Sequence, residues 1–365
     1  MEPLMVRKTI DSSILKTRLT DLLGLKYPIV QAPMAGISTP LLAAAVSNAG
    51  GLGSVALGAL NPAAARRTLE ETLALTSGPI AANLFVHESP CIDTELAQIF
   101  LAELGPEFES LGAQPPASVR EIYRSFNDDD EMLEMLLELR PAAVSLHFGA
   151  ATELRMAALK KAGILVLATA TSVAEALVLE AVGVDLLVMQ SYDAGGHSGA
   201  FLGPPDAATA GRVGLQNLVG DAVAAVSVPV VAAGGLMTGR DVADVISAGA
   251  AGAQLGTAFI GCPETLASDR YRAMLSSGAP TRLTSNISGR PARSLVNELL
   301  NWADSLAAAT PDYPLCYDAV KQLVTAKKNP DFSVMWAGEG AMHSRFLPAS
   351  ELLERLASEL ESSTD

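Results

Sequence analysis

One short segment, residues 190–199, combines a histidine with several glycines. The apolar run directly before it, residues 186–189, predicts a buried strand that ends in this loop. Glycine lets the backbone approach a flat ligand closely, because it has no side chain. His197 can take up or release a proton near neutral pH. We therefore expect His197 to be catalytic and expect Gly195 and Gly196 to contact a flat cofactor.

Short apolar runs recur along the chain, and most of them are followed by helix-like stretches rich in Ala, Leu and Glu. The eight runs are residues 27–34, 53–57, 80–86, 143–148, 164–170, 186–190, 229–233 and 252–259. Alternating strands and helices imply parallel pairing, and eight units close a (β/α)₈ barrel. A doubly wound open sheet is the alternative, but no GxGxxG motif follows the first run. The sequence therefore predicts an α/β fold of the TIM-barrel type.

Two stretches do not fit the regular repeat. Residues 88–142 are too many for one barrel helix, so we expect a helical insertion after the third strand, over about 88–130, and then a regular helix near 132–139. Residues 298–307 and 350–360 have the spacing of amphipathic helices that follow the barrel. The expected regions are an N-terminal extension over 1–20, a cofactor-binding barrel over 21–262 and a C-terminal helical region over 263–365 packed on the barrel.

Polar side chains lie near the predicted carboxyl ends of the strands, where barrel enzymes bind ligands. Asn83 and Gln190 are amides within apolar runs, and a buried amide needs hydrogen-bond partners. The edge of a flavin ring could supply them, although bonds within the protein would serve equally. His147 ends the fourth run, where it would either line the pocket or pack beside it. His87, just past the third run, is expected to be structural or to lie at the rim.

Glycine turns follow the seventh and eighth runs. Barrels often bind phosphate at these two loops, through backbone N–H groups and a helix N-terminus. Residues 238–241 are expected to begin a helix and to leave its first backbone N–H groups free for a ligand, although the glycines could merely permit tight turns. The residues expected to bind a phosphorylated cofactor here are Gly234, Gly235, Gln254, Gly256 and Thr257.

The composition limits the partners. The formal net charge of −15 disfavours nucleic acid and an anionic membrane surface, because both need basic patches. The three cysteines, Cys91, Cys262 and Cys316, fit neither a disulfide framework nor a zinc site, and we expect no metal. No apolar run is long enough to span a bilayer, and the N-terminus lacks the apolar core of a signal peptide. A cytoplasmic enzyme is the expectation.

Nine segments together carry a resemblance to one enzyme family, although each alone is weak. They are residues 31–36, 47–53, 83–86, 145–149, 194–197, 232–235, 254–257, 288–293 and 336–338. On these segments the chain, from about residue 22 to residue 356, resembles the nitronate monooxygenases, formerly called 2-nitropropane dioxygenases, and more narrowly their class I group.

The resemblance implies a TIM barrel that holds one noncovalent FMN. It also implies oxidation of an alkyl nitronate by O₂, without NAD(P)H, to a carbonyl compound and nitrite. His197 would be the catalytic histidine, and His147 would lie in the substrate pocket near the flavin. The residues that would contact FMN are Ala32, Pro33, Met34, Asn83, Gln190, Gly195, Gly235 and 254–257. The expected partners are a small nitronate and O₂, and both a monomer and a homodimer stay open.

One position departs from the family pattern, and two other interpretations stay open. The family often has Arg where this chain has Ser198, so a cation beside an anionic substrate would be missing unless Arg290 or Arg293 supplies it. The chain also resembles flavin-dependent enoyl reductases, which need NAD(P)H and an acyl-carrier substrate. The segment around His147 and the Ala-Pro-Met form of 32–34 favour the nitronate interpretation. A noncatalytic FMN-binding protein on the same barrel would not need the loop histidine.

Overall fold

The computed structural model describes residues 12–203 and 213–363. Within them the strands are β1 (Ile29–Gln31), β2 (Gly53–Ala56), β3 (Ile80–Phe85), β4 (Ala143–His147), β5 (Leu165–Ala170), β6 (Leu186–Gln190), β7 (Gly196–His197), β8 (Val230–Ala233), β9 (Gly252–Leu255), β10 (Thr281–Thr284) and β11 (Ala292–Leu295). The helices are α1 (Arg18–Leu23), α2 (Pro40–Ala49), α3 (Pro62–Leu75), α4 (Thr94–Ser110), α5 (Asp130–Leu139), α6 (Glu153–Lys161), α7 (Val173–Ala181), α8 (Leu215–Ala225), α9 (Gly239–Ser247), α10 (Thr257–Ile260), α11 (Asp269–Ser276), α12 (Glu298–Ala303), α13 (Leu315–Lys327) and α14 (Ala349–Ser362).

Eight parallel strands form the predicted barrel. Their order around the sheet is β2-β3-β4-β5-β6-β8-β9-β1. β1 and β2 meet through a single parallel bridge between Val30 and Leu52. The side chain of Gln31 adds to this closure, because its Oε1 accepts a hydrogen bond from Ser54 N at 2.9 Å. The predicted TIM barrel is confirmed, and every predicted strand is present.

The strands read as apolar runs because both of their faces are buried, one by the barrel interior and one by the helices. All four residues of β8 are buried, for example. The predicted eighth strand is too long, however, since β9 ends at Leu255 and α10 begins at Thr257. Gly256 lies between the two and ends the extended backbone, so the run to Phe259 continues as helix rather than strand.

The insertion after β3 contains α4 and a short 3₁₀ helix at Phe126–Asp128. α5 follows as the predicted regular helix and packs between α3 and α6 of the barrel. α4 packs against α13, and the two share a second apolar core with α12. α14 covers α2 and α9 of the barrel. α12 and α14 were predicted from their spacing, whereas α13 was not.

A small antiparallel sheet, in the order β10-β11-β7, was also not predicted. Its pairing places Ala292 opposite His197, so it ties the C-terminal part of the chain to the histidine loop. No helix among residues 12–203 and 213–363 is long and apolar enough to cross a membrane. Division of the chain at residues 20 and 262 stays a prediction.

Candidate active site

One cavity of about 580 Å³ lies at the carboxyl ends of the barrel strands. Its volume is within the range of small-molecule sites. The structure brings all fourteen sequence-predicted site residues to the lining of this cavity: Ala32, Pro33, Met34, Asn83, His147, Gln190, Gly195, Gly196, His197, Gly234, Gly235, Gln254, Gly256 and Thr257. Residues from six separate chain segments therefore meet where the barrel topology predicts a site.

Two side chains hold the backbone of His197 in place. The amide of Gln190 donates from Nε2 to His197 O at 3.1 Å, and its Oε1 accepts from Gly199 N at 2.7 Å. His147 Nε2 lies 3.3 Å from the same carbonyl and donates to it, because a carbonyl can only accept. Gln190 and His147 therefore brace the loop that carries His197, in addition to lining the cavity.

The imidazole of His197 lies between a buried hydroxyl and the cavity. Its Nε2 is 2.9 Å from Ser288 Oγ. Trp336 and Tyr313 pack against the ring at centroid distances of 5.2 and 5.5 Å. Burial, and then the charges of His147 and Arg290, lower the pKa of His197 to about 3. His197 is therefore neutral near pH 7, which argues against a resting imidazolium.

Two further histidines are also held neutral. Burial lowers the pKa of His147 to about 4, and Arg290 adds to this effect. Burial and Arg290 likewise lower the pKa of His87 to about 4. His87 is 2% exposed, both of its ring nitrogens lack a hydrogen-bond partner, and Tyr313 packs edge-on against it at 5.3 Å. It is enclosed behind the site rather than placed at the rim.

Two amides offer unused groups to a ligand. Asn83 donates through Nδ2 to Ser145 O and Oγ, at 3.1 and 3.2 Å. Its Oδ1 makes no hydrogen bond within the described residues and is not enclosed by protein. Gln254 lines the cavity, and its amide likewise has no hydrogen bond among the described residues.

The N-terminus of α9 is not the bare backbone that the sequence suggested. The Asp241 carboxylate accepts hydrogen bonds from Met237 N at 2.9 Å and Thr238 N at 2.8 Å. Thr238 Oγ1 accepts from Asp241 N at 3.2 Å, which completes a capping box. Glu359 of α14 accepts from Gly239 N at 3.0 Å. Carboxylates therefore already occupy this helix N-terminus.

The N-terminus of α10, by contrast, has no side-chain cap. The first N–H groups of a helix have no partner within the helix. Gly256 and Thr257, which begin this helix, line the cavity. Backbone N–H groups are therefore available here to an anionic group of a ligand.

A second side of the cavity was missed by sequence reasoning. It consists of Tyr123, Tyr313, Tyr317, Lys321 and Trp336, which we call the aromatic wall. Lys321 Nζ donates to Tyr123 Oη at 2.8 Å. Among the described residues that line the cavity, Lys321 alone carries a charge. The one available signal was the spacing of 313, 317 and 321, which is that of one helix face.

A short segment at Trp336–Gly340 joins the two sides. Gly338 N donates to Thr257 Oγ1 at 2.9 Å, and Glu339 N donates to Asp193 O at 3.0 Å. A Cβ on Gly195 would lie 2.5 Å from Gly338 N. Glycine at 195 is therefore needed for the histidine loop and this segment to touch.

The family model described as nitronate monooxygenase matches residues 16–359. The chain belongs to the nitronate monooxygenase family. Enzymes of this family are flavin-dependent oxidoreductases, and the chain is therefore a flavin enzyme.

Similar proteins agree with this placement in the nitronate monooxygenase family. A nitronate monooxygenase of Pseudomonas aeruginosa is 46% identical over 94% of this chain and 99% of its own. One of Paraburkholderia phytofirmans is 46% identical over 96% of each chain. The solved structure of a nitroalkane oxidase from Streptomyces ansochromogenes superposes with a TM-score of 0.83, 38% identity, and coverage of 95% of this chain and 98% of that one. FabK from Thermotoga maritima has a TM-score of 0.72, 23% identity and coverage of 96% and 97%, which shows the fold alone.

In this nitronate monooxygenase family member, neither arginine considered from the sequence lines the cavity. Arg293 is buried, pairs with Glu339 at 3.0 Å and donates twice to Tyr192 O. Arg290 lies over the ring of Phe148 at 4.5 Å and donates to Ala200 O at 3.0 Å. The cation that borders the cavity is Lys321 instead.

Proposed function

We propose that this chain binds FMN noncovalently and oxidises alkyl nitronates with O₂ to a carbonyl compound and nitrite, without NAD(P)H. The observation that carries the proposal is the combination, in one cavity, of an uncapped helix N-terminus, a neutral histidine and Lys321, the one charged side chain among the described lining residues. Membership in the nitronate monooxygenase family supports it. The alternative enoyl reductase would require NAD(P)H, which the experiment below tests.

The residues of the barrel loops fit FMN. The N–H groups of Gly256 and Thr257 at the start of α10 would hold the phosphate. Asn83 Oδ1 and the amide of Gln254 would meet the polar edges of the ring system. Ala32, Pro33 and Met34, together with the glycines, offer a surface of small side chains and bare backbone. FMN, when bound, supplies the electron acceptor that the side chains of the cavity lack.

Neutral His197 suits a substrate that is already a carbanion. A nitronate has lost its carbon-bound proton, so its oxidation needs no strong base. A histidine whose pKa is held at about 3 is a weak base, and we expect nitronates to react faster than neutral nitroalkanes. His197 and His147 would lie beside the reacting carbon and shape the substrate pocket.

Lys321 would attract and orient the anionic substrate. Its Nζ lies 5.2 Å from the ring centroids of both Tyr123 and Tyr317, so the cation lies over these two rings. The whole chain carries a net charge of −15, and a local cation in the cavity would offset that charge for an incoming anion. Lys321 would therefore take the role that an Arg at position 198 has in other members of the family.

The decisive experiment is anaerobic mixing of the purified protein with ethyl nitronate and, separately, with NADPH, while the flavin spectrum is followed. The proposal expects reduction by the nitronate but not by NADPH, and release of nitrite once oxygen is admitted. Rapid bleaching by NADPH alone would support the enoyl reductase instead. A bound flavin that neither reagent reduces would support a noncatalytic FMN-binding protein.

A cytoplasmic location and a homodimer are also proposals. Cell fractionation tests the location, and light scattering of the flavin-loaded protein tests the oligomeric state. The family membership supports a small-molecule nitronate and O₂ as partners.

A further inference from the structure

Ser288 contacts His197 but does not itself line the cavity. It is fully buried, and its Oγ lies 2.9 Å from His197 Nε2. The same oxygen lies 3.1 Å from Arg290 O, and it accepts a hydrogen bond from Arg290 N at 3.3 Å. One hydroxyl therefore meets three polar groups at the base of the imidazole.

Proton counting decides which of these groups donates. A serine hydroxyl has one proton, and a backbone carbonyl can only accept. When Ser288 donates to Arg290 O, its oxygen meets His197 Nε2 as an acceptor, so Nε2 carries a proton. The reverse arrangement, with Ser288 donating to Nε2, would leave Arg290 O without this bond. The first arrangement makes one hydrogen bond more.

The position of the second nitrogen follows from this tautomer. The ring is neutral near pH 7 and carries one proton in total, because burial lowers the pKa of His197 to about 3. A proton on Nε2 leaves Nδ1 with its lone pair. Nδ1 makes no hydrogen bond within the described residues and, unlike the nitrogens of His87, is not enclosed. It therefore opens into the cavity that His197 lines.

We propose that Ser288 is a positioning residue that fixes His197 as the Nε2–H tautomer, so that Nδ1 faces bound substrate as a base. This inference rests on the proposed function. With a neutral nitroalkane, Nδ1 takes the proton from the carbon next to the nitro group. The C–H bond breaks, its electron pair moves into the nitro group to give the nitronate, and His197 becomes an imidazolium. Ser288 accepts the Nε2–H throughout, and the nitronate enters the oxidation described above.

The first test measures the tautomer itself in the flavin-loaded protein. The chain has only four histidines, so ¹⁵N-histidine labelling with single His→Asn variants assigns every ring nitrogen. We expect His197 to be protonated at Nε2 and not at Nδ1 in the unmodified protein. Protonation at Nδ1 would overturn the proposal, and this result does not depend on the folding of any serine variant.

The second test compares two substrates in Ser288→Ala. We expect the kcat/KM ratio of nitroethane to ethyl nitronate to fall at least ~10-fold, with nitronate turnover within about 3-fold of the unmodified protein. Ser294→Ala is the matched control, because Ser294 is equally buried and donates to Met335 O at 2.9 Å. It should leave the ratio unchanged.

The remaining outcomes are distinguishable. An equal loss on both substrates in Ser288→Ala, or the same change of ratio in Ser294→Ala, would assign Ser288 a merely structural role. Normal nitronate turnover without any nitroethane reaction in the unmodified protein would overturn the assignment of Nδ1 as a base. If ethyl nitronate does not react with the unmodified protein at all, the proposed function fails, whereas the ¹⁵N measurement still decides the tautomer.

Discussion

The cavity has two sides that differ in composition and in origin. One side, which we call the backbone wall, consists of residues 32–36, residues 233–237, Gln254, Gly256 and Thr257, and its glycines expose main-chain groups. The aromatic wall is made of large side chains, with Lys321 as the cation. The backbone wall belongs to the barrel itself, whereas the aromatic wall comes from the insertion after β3 and from the segments after β9.

This difference separates two tasks. A cofactor with a fixed shape suits main-chain groups, whose positions the barrel strands determine. A small substrate is recognised by side chains, which can change without altering the barrel. The comparison therefore predicts that changes in the backbone wall alter flavin affinity, and that changes in the aromatic wall alter substrate kinetics.

The largest expected effect is at His197, whose ring packs against Trp336 and Tyr313 of the aromatic wall. His197→Asn should retain flavin but lose about 100-fold in kcat on a neutral nitroalkane, because general base catalysis contributes ~100-fold or more and a base with a pKa of about 3 stands at the low end of that range. The loss with a preformed nitronate should be smaller, since no proton has to be removed. Stopped-flow and steady-state kinetics measure both. His343→Asn, at an exposed position, is the control and should leave both rates unchanged.

How far the sequence predicts this molecule depends on which wall is considered. The backbone wall could be predicted from the local sequence, because Gly234, Gly235 and Gly256 each follow an apolar run at a fixed place in the barrel repeat. The aromatic wall could not, because Tyr123 lies in the irregular insertion and Tyr317 on a helix whose partner, α4, is about 200 residues away in sequence. Only long-range packing brings these segments to the cavity.

The sequence also could not show which polar groups remain free. The loop before α9 and the loop before α10 both carry glycine and threonine, yet only the first is capped. The reason is that Asp241 lies three residues after Thr238, and Glu359 arrives from the distant α14. Gln190 similarly looked available to a flavin, but both ends of its amide bond to the histidine loop.

Behind the aromatic wall, His87 should couple stability to pH. Its folded pKa of about 4 lies below the ordinary value of 6.5, so the unfolded chain binds more protons between these values. The contribution of His87 to the unfolding free energy is fully present above pH 6.5 and is lost as the pH falls towards 4. Between pH 7 and pH 5 the unmodified protein should therefore lose about 2 kcal/mol more unfolding free energy than His87→Phe does.

Urea unfolding at the two pH values, at constant excess FMN, measures this difference. His343→Phe serves as the control, because its side chain is exposed in both states. If His87→Phe and the unmodified protein lose the same free energy on acidification, His87 does not couple stability to pH.

Lys321 tests the aromatic wall directly. Lys321→Met should raise the KM for a nitronate roughly 10-fold, because a hydrogen bond to a charged group contributes about 1.5 kcal/mol. Flavin affinity should stay the same. The difference between variant and unmodified protein should shrink with added salt, since Lys321 lies at an exposed position. Lys321→Arg should recover most of the affinity, and Lys328→Met, exposed just past the same helix, should have no effect.

The smallest expected effect is on flavin affinity, and it distinguishes the N-terminus of α10 from that of α9. Thr257→Val keeps the size of the side chain but removes the acceptor of the hydrogen bond from Gly338 N and a hydroxyl facing the cavity. Flavin affinity should fall about 5-fold, which corresponds to about 1 kcal/mol, with little change in kcat at saturating FMN.

Thr238→Val is the matched change at α9, where the threonine caps the helix. It should cost about 1 kcal/mol of unfolding free energy and leave flavin affinity unchanged, because carboxylates already satisfy that helix. Fluorescence titration of the FMN-free variants with FMN compares the two sites. A loss of affinity in Thr238→Val as large as in Thr257→Val would mean that both helix N-termini hold the cofactor. The division between a closed α9 and an open α10 would then be wrong.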